Sequence, residues 1–419
     1  MKKVMIVALF LILIMSGAAF ADDLNLTGES AILVDMDTGQ VLYEKNPHLR
    51  LHPASTTKIM TGILAIEHGN FNDLVTVDDE TPYQIKGSHI ALEPGEQLLF
   101  KDLLYALLIE SANDSALAIA KHIAGSAEEF GKMMNEKARE LGAKDTNFVN
   151  PHGLTDENHL TTAYDLSLMA RYAMENETFR NIVSNYSYTI PATNKKDESR
   201  YLKSANKLLY SSESINVDGK IVPIKYEGVT GVKTGYTTEA GNCLVASAEK
   251  GNRRLLAVVM KSYGNEVFAD IHKLFNYGFG SFKNVVIANE NEFIQNFQIR
   301  NGKVPVVAGI IKDSIICTVS EESVDSITQK VIVDDNLKAP VKEGQAIGKV
   351  EYYLEDKLIG SADIVSTMDI ERDIAGAILR FLIDKWYIIL ALFIVGLKAL
   401  SDAKQKRIRK YRRRATSLF

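Results

Sequence analysis

Two β-rich stretches far apart in the chain bracket a helical middle, and that order restricts the fold more than any other feature of the sequence. Ala31-Ile-Leu-Val-Asp-Met-Asp-Thr-Gly-Gln-Val-Leu-Tyr-Glu44 reads as two strands around an Asp37-Thr38-Gly39 turn. Asn242–Ser247 and Arg254–Lys261 are again β-rich, and their spacing predicts adjacent antiparallel strands. In between, apolar residues recur at helical spacing: Ile59, Met60, Ile63, Leu64 and Ile66 before Gly69, then Leu99–Glu110, Ser115–Ala124, Ala127–Leu141 and Ala163–Met174. A closing helix is expected over Asp270–Gly280. First and last strands most readily bury their apolar faces by pairing with each other, so one sheet joining both ends, covered by helices, is expected. That is an α+β architecture. After about Ser281 the pattern changes, and Val285–Thr367 offers only short strand-like runs between Gly, Asn and Asp turns, which predicts a separate small β domain.

The two ends address the chain to a membrane. Lys2 and Lys3, an apolar run from Val4 to Met15 and the small-residue site Ala19-Phe20-Ala21 have the form of a secretory signal cleaved before Asp22. Near the other end, Ile370, Ile374, Ile378 and Phe381 mark an amphipathic helix that leads into Trp386–Leu397, a run without a charge. That run is short against the roughly 20 residues of a typical span. Trp386 and Tyr387 nevertheless suit an interfacial belt, Lys398 can snorkel, and the basic residues from Lys404 to Arg414 suit the inner face. We therefore expect a span, with an in-plane helix as the alternative. Nothing in the body of the chain suggests nucleic-acid binding. Cys243 and Cys317 fall in different predicted domains and are expected as buried free thiols, and no His or Cys spacing suggests a metal.

Three short motifs carry chemistry. Pro53 favours a helix start, so Ser55 and Lys58 in Pro53-Ala-Ser-Thr-Thr-Lys58 share a face at the mouth of a helix, a hydroxyl beside its base. The same Ser-x-x-Lys spacing also occurs at Ser204, Ser247 and Ser401, and by itself it describes a capped helix as well as a nucleophile. Ser111-Ala-Asn113 falls at a break between two helices, and Lys233-Thr-Gly235 falls in a strand. In this order, each in a fitting context, the three are far more specific than any one.

Serine-x-x-lysine, Ser-x-Asn and Lys-Thr-Gly together are the pattern of penicillin-binding proteins and class A β-lactamases. From about Ala31 to Val365 the chain resembles the low-molecular-mass (class C) penicillin-binding proteins, the D-alanyl-D-alanine carboxypeptidases of the bacterial cell wall. The resemblance includes Asn113-Asp-Ser-Ala116, His152-Gly-Leu154, Thr161-Thr-Ala-Tyr-Asp165, Gly231-Val-Lys-Thr-Gly235, Ala240-Gly-Asn-Cys-Leu-Val-Ala246 and Ala339-Pro-Val-Lys-Glu-Gly-Gln345. It implies a penicillin-recognising serine hydrolase domain followed by a β-sandwich and a membrane helix. The expected divisions are a signal peptide at 1–21, a catalytic domain at 22–282, a β-rich domain at 283–368, an anchor at 369–400 and a cytoplasmic tail at 401–419.

The resemblance further implies removal of the terminal D-alanine from peptidoglycan pentapeptide stems on the outer face of the membrane, without a cofactor or metal, and inhibition by β-lactams. Carried onto this sequence, Ser55 is the nucleophile, Lys58 its base, Ser111 a proton relay and Asn113 the acyl-side contact. Lys233 and Thr234 bind the substrate carboxylate, and the backbone N–H groups of Ser55 and of Tyr236, the residue after Gly235, form the oxyanion hole. Tyr236 stands where relatives often have histidine. No arginine occurs in Ser262–Ile271 to grip the carboxylate, which leaves Lys261 as a further candidate. The alternatives are a class A-like β-lactamase, for which Glu157 is the candidate carboxylate, and a non-catalytic wall-binding scaffold.

Overall fold

A computed structural model describes residues 24–334 and 336–415, so the expected signal segment lies outside the described residues. β1 (Ser30–Asp35), β2 (Val41–Lys45), β3 (Val229–Thr237), β4 (Gly241–Lys250) and β5 (Arg253–Ser262) form one antiparallel sheet in the order β2–β1–β5–β4–β3. The chain ends of this domain meet at its centre, with Ser30 opposite Met260 and Asp35 opposite Leu255.

The central strands are apolar on both faces because both are covered. Ile32, Val34, Leu256 and Val258 pack with the helices of the middle segment, while their alternate neighbours Ala31, Leu33, Leu255 and Ala257 pack with Ile271, Leu274 and Phe275. Those last three belong to α7 (Glu266–Ser281), which begins at Glu266, earlier than the expected Asp270. Successive strand residues face opposite sides, so a sheet between two helical layers reads as an unbroken apolar run.

On the other face lie α1 (Lys58–His68), α2 (Phe100–Tyr105), α3 (Asn113–Ala124), α4 (Ala127–Glu140), α5 (Ala163–Glu175) and α6 (Glu177–Val183). α1 is preceded by a 3₁₀ turn, Ala54–Thr57, so Ser55 sits on the turn and Lys58 opens the helix proper. α2 runs into a π-turn, Ala106–Glu110, and the break after it is real: Ser111 takes a left-handed backbone with φ +64°. α3 starts at Asn113 instead of Ser115, which puts Asn113 in its first turn. α6 was not legible as a helix. It is only seven residues long and is started by Asn176, whose side chain accepts a hydrogen bond from the Phe179 N–H (3.1 Å).

A second unit comprises Val285–Cys317 and the residues from Glu322 on. Its five-stranded antiparallel sheet is built from β6 (Phe293–Gln298), β7 (Val306–Ile311), β8 (Ile327–Val333), β9 (Ala346–Leu354) and β10 (Lys357–Ser366), in the order β6–β7–β10–β9–β8. The amphipathic helix α8 spans Ile374–Asp384. Ile370, expected on it, instead pairs with Val341 and is buried, because Asp373 caps the helix by accepting from the Gly376 N–H. α9 (Trp386–Ala415) follows, and Trp386–Arg409 within it is long and apolar enough to cross a membrane, with a mean hydropathy of 1.7. Both cysteines are free and buried, as expected.

Candidate active site

The turn that carries Ser55 is shaped by its neighbours. The Thr56 hydroxyl donates to Pro53 O (2.7 Å), which tightens the turn. Ala54 has φ +48°, a left-handed conformation that costs an alanine about 1 kcal/mol. Gly153 (φ +88°) lies so close to it that a Cβ there would stand 1.8 Å from Ala54 O. Gly235 presses from the other side, and a Cβ on it would stand 2.9 Å from both Pro53 O and the Ser55 nitrogen. Only glycine lets β3 lie this close to Ser55.

Lys58 is fully buried under Ser55, with its Nζ 3.0 Å from Ser55 Oγ. It donates to Asn113 Oδ1 (2.6 Å) and to the main-chain oxygen of His152 (2.8 Å). Asn113 is thus a ligand of the lysine, a role the sequence did not reveal. One N–H of its amide donates to Lys86 O (2.6 Å). Its backbone N–H donates to Ser88 O (2.8 Å), while the Asp114 carboxylate accepts from the N–H groups of Ile90 (3.1 Å) and Leu92 (3.0 Å). The first turn of α3 therefore fastens segment 86–92, one wall of the cleft.

Ser55, Ser111, Asn113, Thr234, Gly235 and Tyr236 all line one cleft of about 420 Å³. Lys58 and Lys233 lie buried beneath it. Lys261 is not part of it: its amine is paired with Glu29 at 3.0 Å, because Lys261 is turned by a left-handed backbone (φ +56°) at the end of β5. At that level the cleft is walled by Val267 and Phe268. Glu157 is exposed and absent from the lining.

Both buried amines are shifted from their ordinary range. Burial first, then the positive charge of Lys233, holds Lys58 well below the usual amine range, against the opposing pull of Asp114. Burial also brings Lys233 down to about 7, with Glu110 opposing. A lowered amine beside Ser55 is what a general base working near neutral pH requires. Among the described residues, no group of three or more His, Cys, Asp or Glu is arranged to hold a metal ion.

The residues missed at the sequence level are Thr57 and His159, buried behind the turn and joined at 2.8 Å. His159 lies in the stretch that contains Glu157, and it is the histidine of that stretch that reaches the site.

These features, a serine hydroxyl beside a buried lysine amine at the floor of a cleft, are those of a serine hydrolase of the Ser-x-x-Lys class, and comparison with known proteins shows the family. Residues 17–264 match the D-alanyl-D-alanine carboxypeptidase family, and residues 282–372 match the penicillin-binding protein 5 C-terminal domain. The chain is 35% identical over 351 residues to D-alanyl-D-alanine carboxypeptidase DacF of Bacillus subtilis, covering 82% of this chain and 86% of that one. To DacA of Haemophilus influenzae it is 32% identical over 376 residues, covering 86% and 89%. The crystal structure of penicillin binding protein 5 from Haemophilus influenzae superposes with a TM-score of 0.69 at 29% identity, covering 83% of this chain and 98% of that one. The chain belongs to the D-alanyl-D-alanine carboxypeptidase family. It is a hydrolase of the serine type, with a β-sandwich domain after the catalytic one.

Proposed function

We propose that Ser55 forms the acyl-enzyme through which this chain releases the terminal D-alanine of peptidoglycan pentapeptide stems. The observation that carries the assignment is the Lys58 amine, 3.0 Å from Ser55 Oγ and held on its far side by two carbonyl oxygens. Ser55 Oγ bonds to the carbonyl carbon between the two D-alanines and its proton passes to Lys58. The N–H groups of Ser55 and Tyr236 take up the oxyanion, a contribution of about 3 kcal/mol per donor. The C–N bond then breaks as Ser111 relays the proton from Lys58 to the leaving amine, and water adds to the acyl carbonyl, frees the acid and returns a proton to Ser55. Lys233 and Thr234 bind the terminal carboxylate, and Asn113 holds the acyl-side amide. A β-lactam acylates the same serine, which is how the enzyme would be inhibited. The class A-like β-lactamase alternative loses its carboxylate, since Glu157 stands outside the cleft. The scaffold alternative leaves the assembled site without a use.

On this reading the signal segment exports the catalytic domain, α9 anchors it, and the basic residues after Ser401 stay inside. A D-alanine-release assay on a pentapeptide, with mass spectrometry after benzylpenicillin, tests the site. The wild type releases D-alanine and carries a long-lived adduct on Ser55, and Ser55→Ala does neither. Rapid penicillin turnover without an adduct would favour a β-lactamase. Absence of both activities would favour a scaffold.

A further inference from the structure

The peptide unit between Ala54 and Ser55 is planar, so its carbonyl and its N–H point in opposite directions and cannot be aimed separately. In this structure the carbonyl end is held by a buried chain of hydrogen bonds. The Val149 N–H donates to His159 Nδ1 at 2.9 Å, so in the neutral ring the proton is on Nε2. Nε2–H then donates to Thr57 Oγ1 at 2.8 Å, and the Thr57 hydroxyl donates to Ala54 O at 2.8 Å. Every donor in this chain has one acceptor, and its direction is fixed. The ring is 1% exposed and rests against Phe148, with centroids 5.5 Å apart. Its segment is stapled to the nucleophile segment by reciprocal bonds between Leu51 and Thr161 at 2.8 and 2.9 Å.

We infer that His159 and Thr57 are positioning residues for the oxyanion hole: by holding Ala54 O they aim the Ser55 N–H at the substrate oxygen. The inference rests on the reading of Ser55 given above. Ala54 needs such a hold because its left-handed backbone is not one an alanine keeps unaided. Gly153 seals the carbonyl from the side, where any larger residue would collide with it. The neutral state that the chain requires is favoured by burial and by the nearby Lys58 and His52, with Asp156 opposing, and the imidazole is pushed down to about 4.

The test compares an ester analogue of the substrate with its thiono counterpart, in which sulfur replaces the scissile carbonyl oxygen. Sulfur is a weak acceptor, so the thiono substrate gains little from an aimed N–H. Acylation rates are measured on the full-length protein for wild type, Thr57→Val, Thr57→Ser, His159→Phe and Ser55→Ala. Thr57→Val and His159→Phe are expected to slow acylation by the oxygen ester about 10- to 100-fold, less than removal of a donor outright. The thiono ester is expected to change less than about threefold, and Thr57→Ser, which keeps the hydroxyl, to restore the oxygen-ester rate. Thr57→Val is isosteric and carries the comparison if His159→Phe does not fold. A parallel loss on both esters, or a wild-type rate in Thr57→Val, would overturn the inference while Ser55→Ala remained inactive. Acylation that persists in Ser55→Ala would instead overturn the nucleophile assignment on which it rests.

Discussion

The Lys58 amine lies closer to the Asn113 side-chain oxygen (2.6 Å) than to the Ser55 hydroxyl (3.0 Å), and that difference fits the work of a base. A neutral amine has two hydrogens and one lone pair. Asn113 Oδ1 and His152 O can only accept, so they take both hydrogens and leave the lone pair for the proton of Ser55. Arginine at this position stays charged at any accessible pH. Lys58→Arg is therefore expected to slow penicillin acylation by about a thousandfold at pH 7, within the usual range for loss of a general base. Stopped-flow acylation checks this, and Asn113→Ala should fall in the same direction by weakening the hold on the amine.

Gly235 and Gly153 press on the same turn with different tolerances. At Gly235 the colliding atoms belong to the nucleophile turn across a cleft wall, and β3 is an edge strand that can move back. Gly235→Ala should fold and lose acylation by about a hundredfold, the order expected when an oxyanion donor is displaced. Gly153→Ala adds a left-handed backbone to a Cβ at 1.8 Å from Ala54 O and should lower thermal stability markedly. Melting curves beside adduct formation separate the two.

Two histidines, His159 buried and His152 half-buried, give the fold an acid-sensitive range. His152 is pushed down to about 3 and His159 to about 4, both chiefly by burial, against 6.5 for an exposed ring. Between those values the unfolded chain binds protons that the folded chain does not, so stability rises with pH across this window and falls on acidification from about 6.5 toward 4. Each ring accounts for at most a few kcal/mol, on the order of 1.4 kcal/mol per pH unit. His159→Gln should flatten the slope of melting temperature against pH relative to wild type.

Neither thiol should react while the protein is folded. Cys243 is buried in β4 opposite Gly235, and burial pushes its thiol up to about 11. Cys317 is buried in the second unit, its thiol also raised to about 11. Thiol titration at pH 8 should give no fast-reacting group in the native protein and two after denaturation. Reducing agents should leave the melting temperature unchanged.

Removal of residues after Asp373 is expected to free the protein from membranes without loss of D-alanine release, since α8 and α9 hold the apolar run and the cleft does not include them. Fractionation of cells expressing both forms, with and without high salt, reads the outcome. Release of the full-length protein by salt alone would point to an in-plane helix instead of a span.

The legible part of this protein was periodic or punctuated. Ser55 and Lys58 share a face because residues three apart do so in any helical turn, and the sheet between two helical layers was written in the apolar runs of β4 and β5. Ser111 could be placed at a break because Ser, Asn and Asp interrupt an apolar helix. Lys261 was misplaced because its direction depends on one left-handed backbone at a strand end, and α6 was missed because a seven-residue helix carries too little period to read.

What the sequence determined by itself was the set of candidate motifs and their order, since motif spacing is a property of the chain. What only the tertiary structure decided was their state. Lys58 is held below the usual amine range because the fold buries it next to Lys233, far away in sequence, while oxygens from α3 and from the 147–161 loop orient the amine. The carbonyl of Ala54 accepts from Thr57, whose hydroxyl is oriented in turn by His159, and no local pattern announces that pairing, because a hydrogen bond across a hundred residues leaves no periodicity behind.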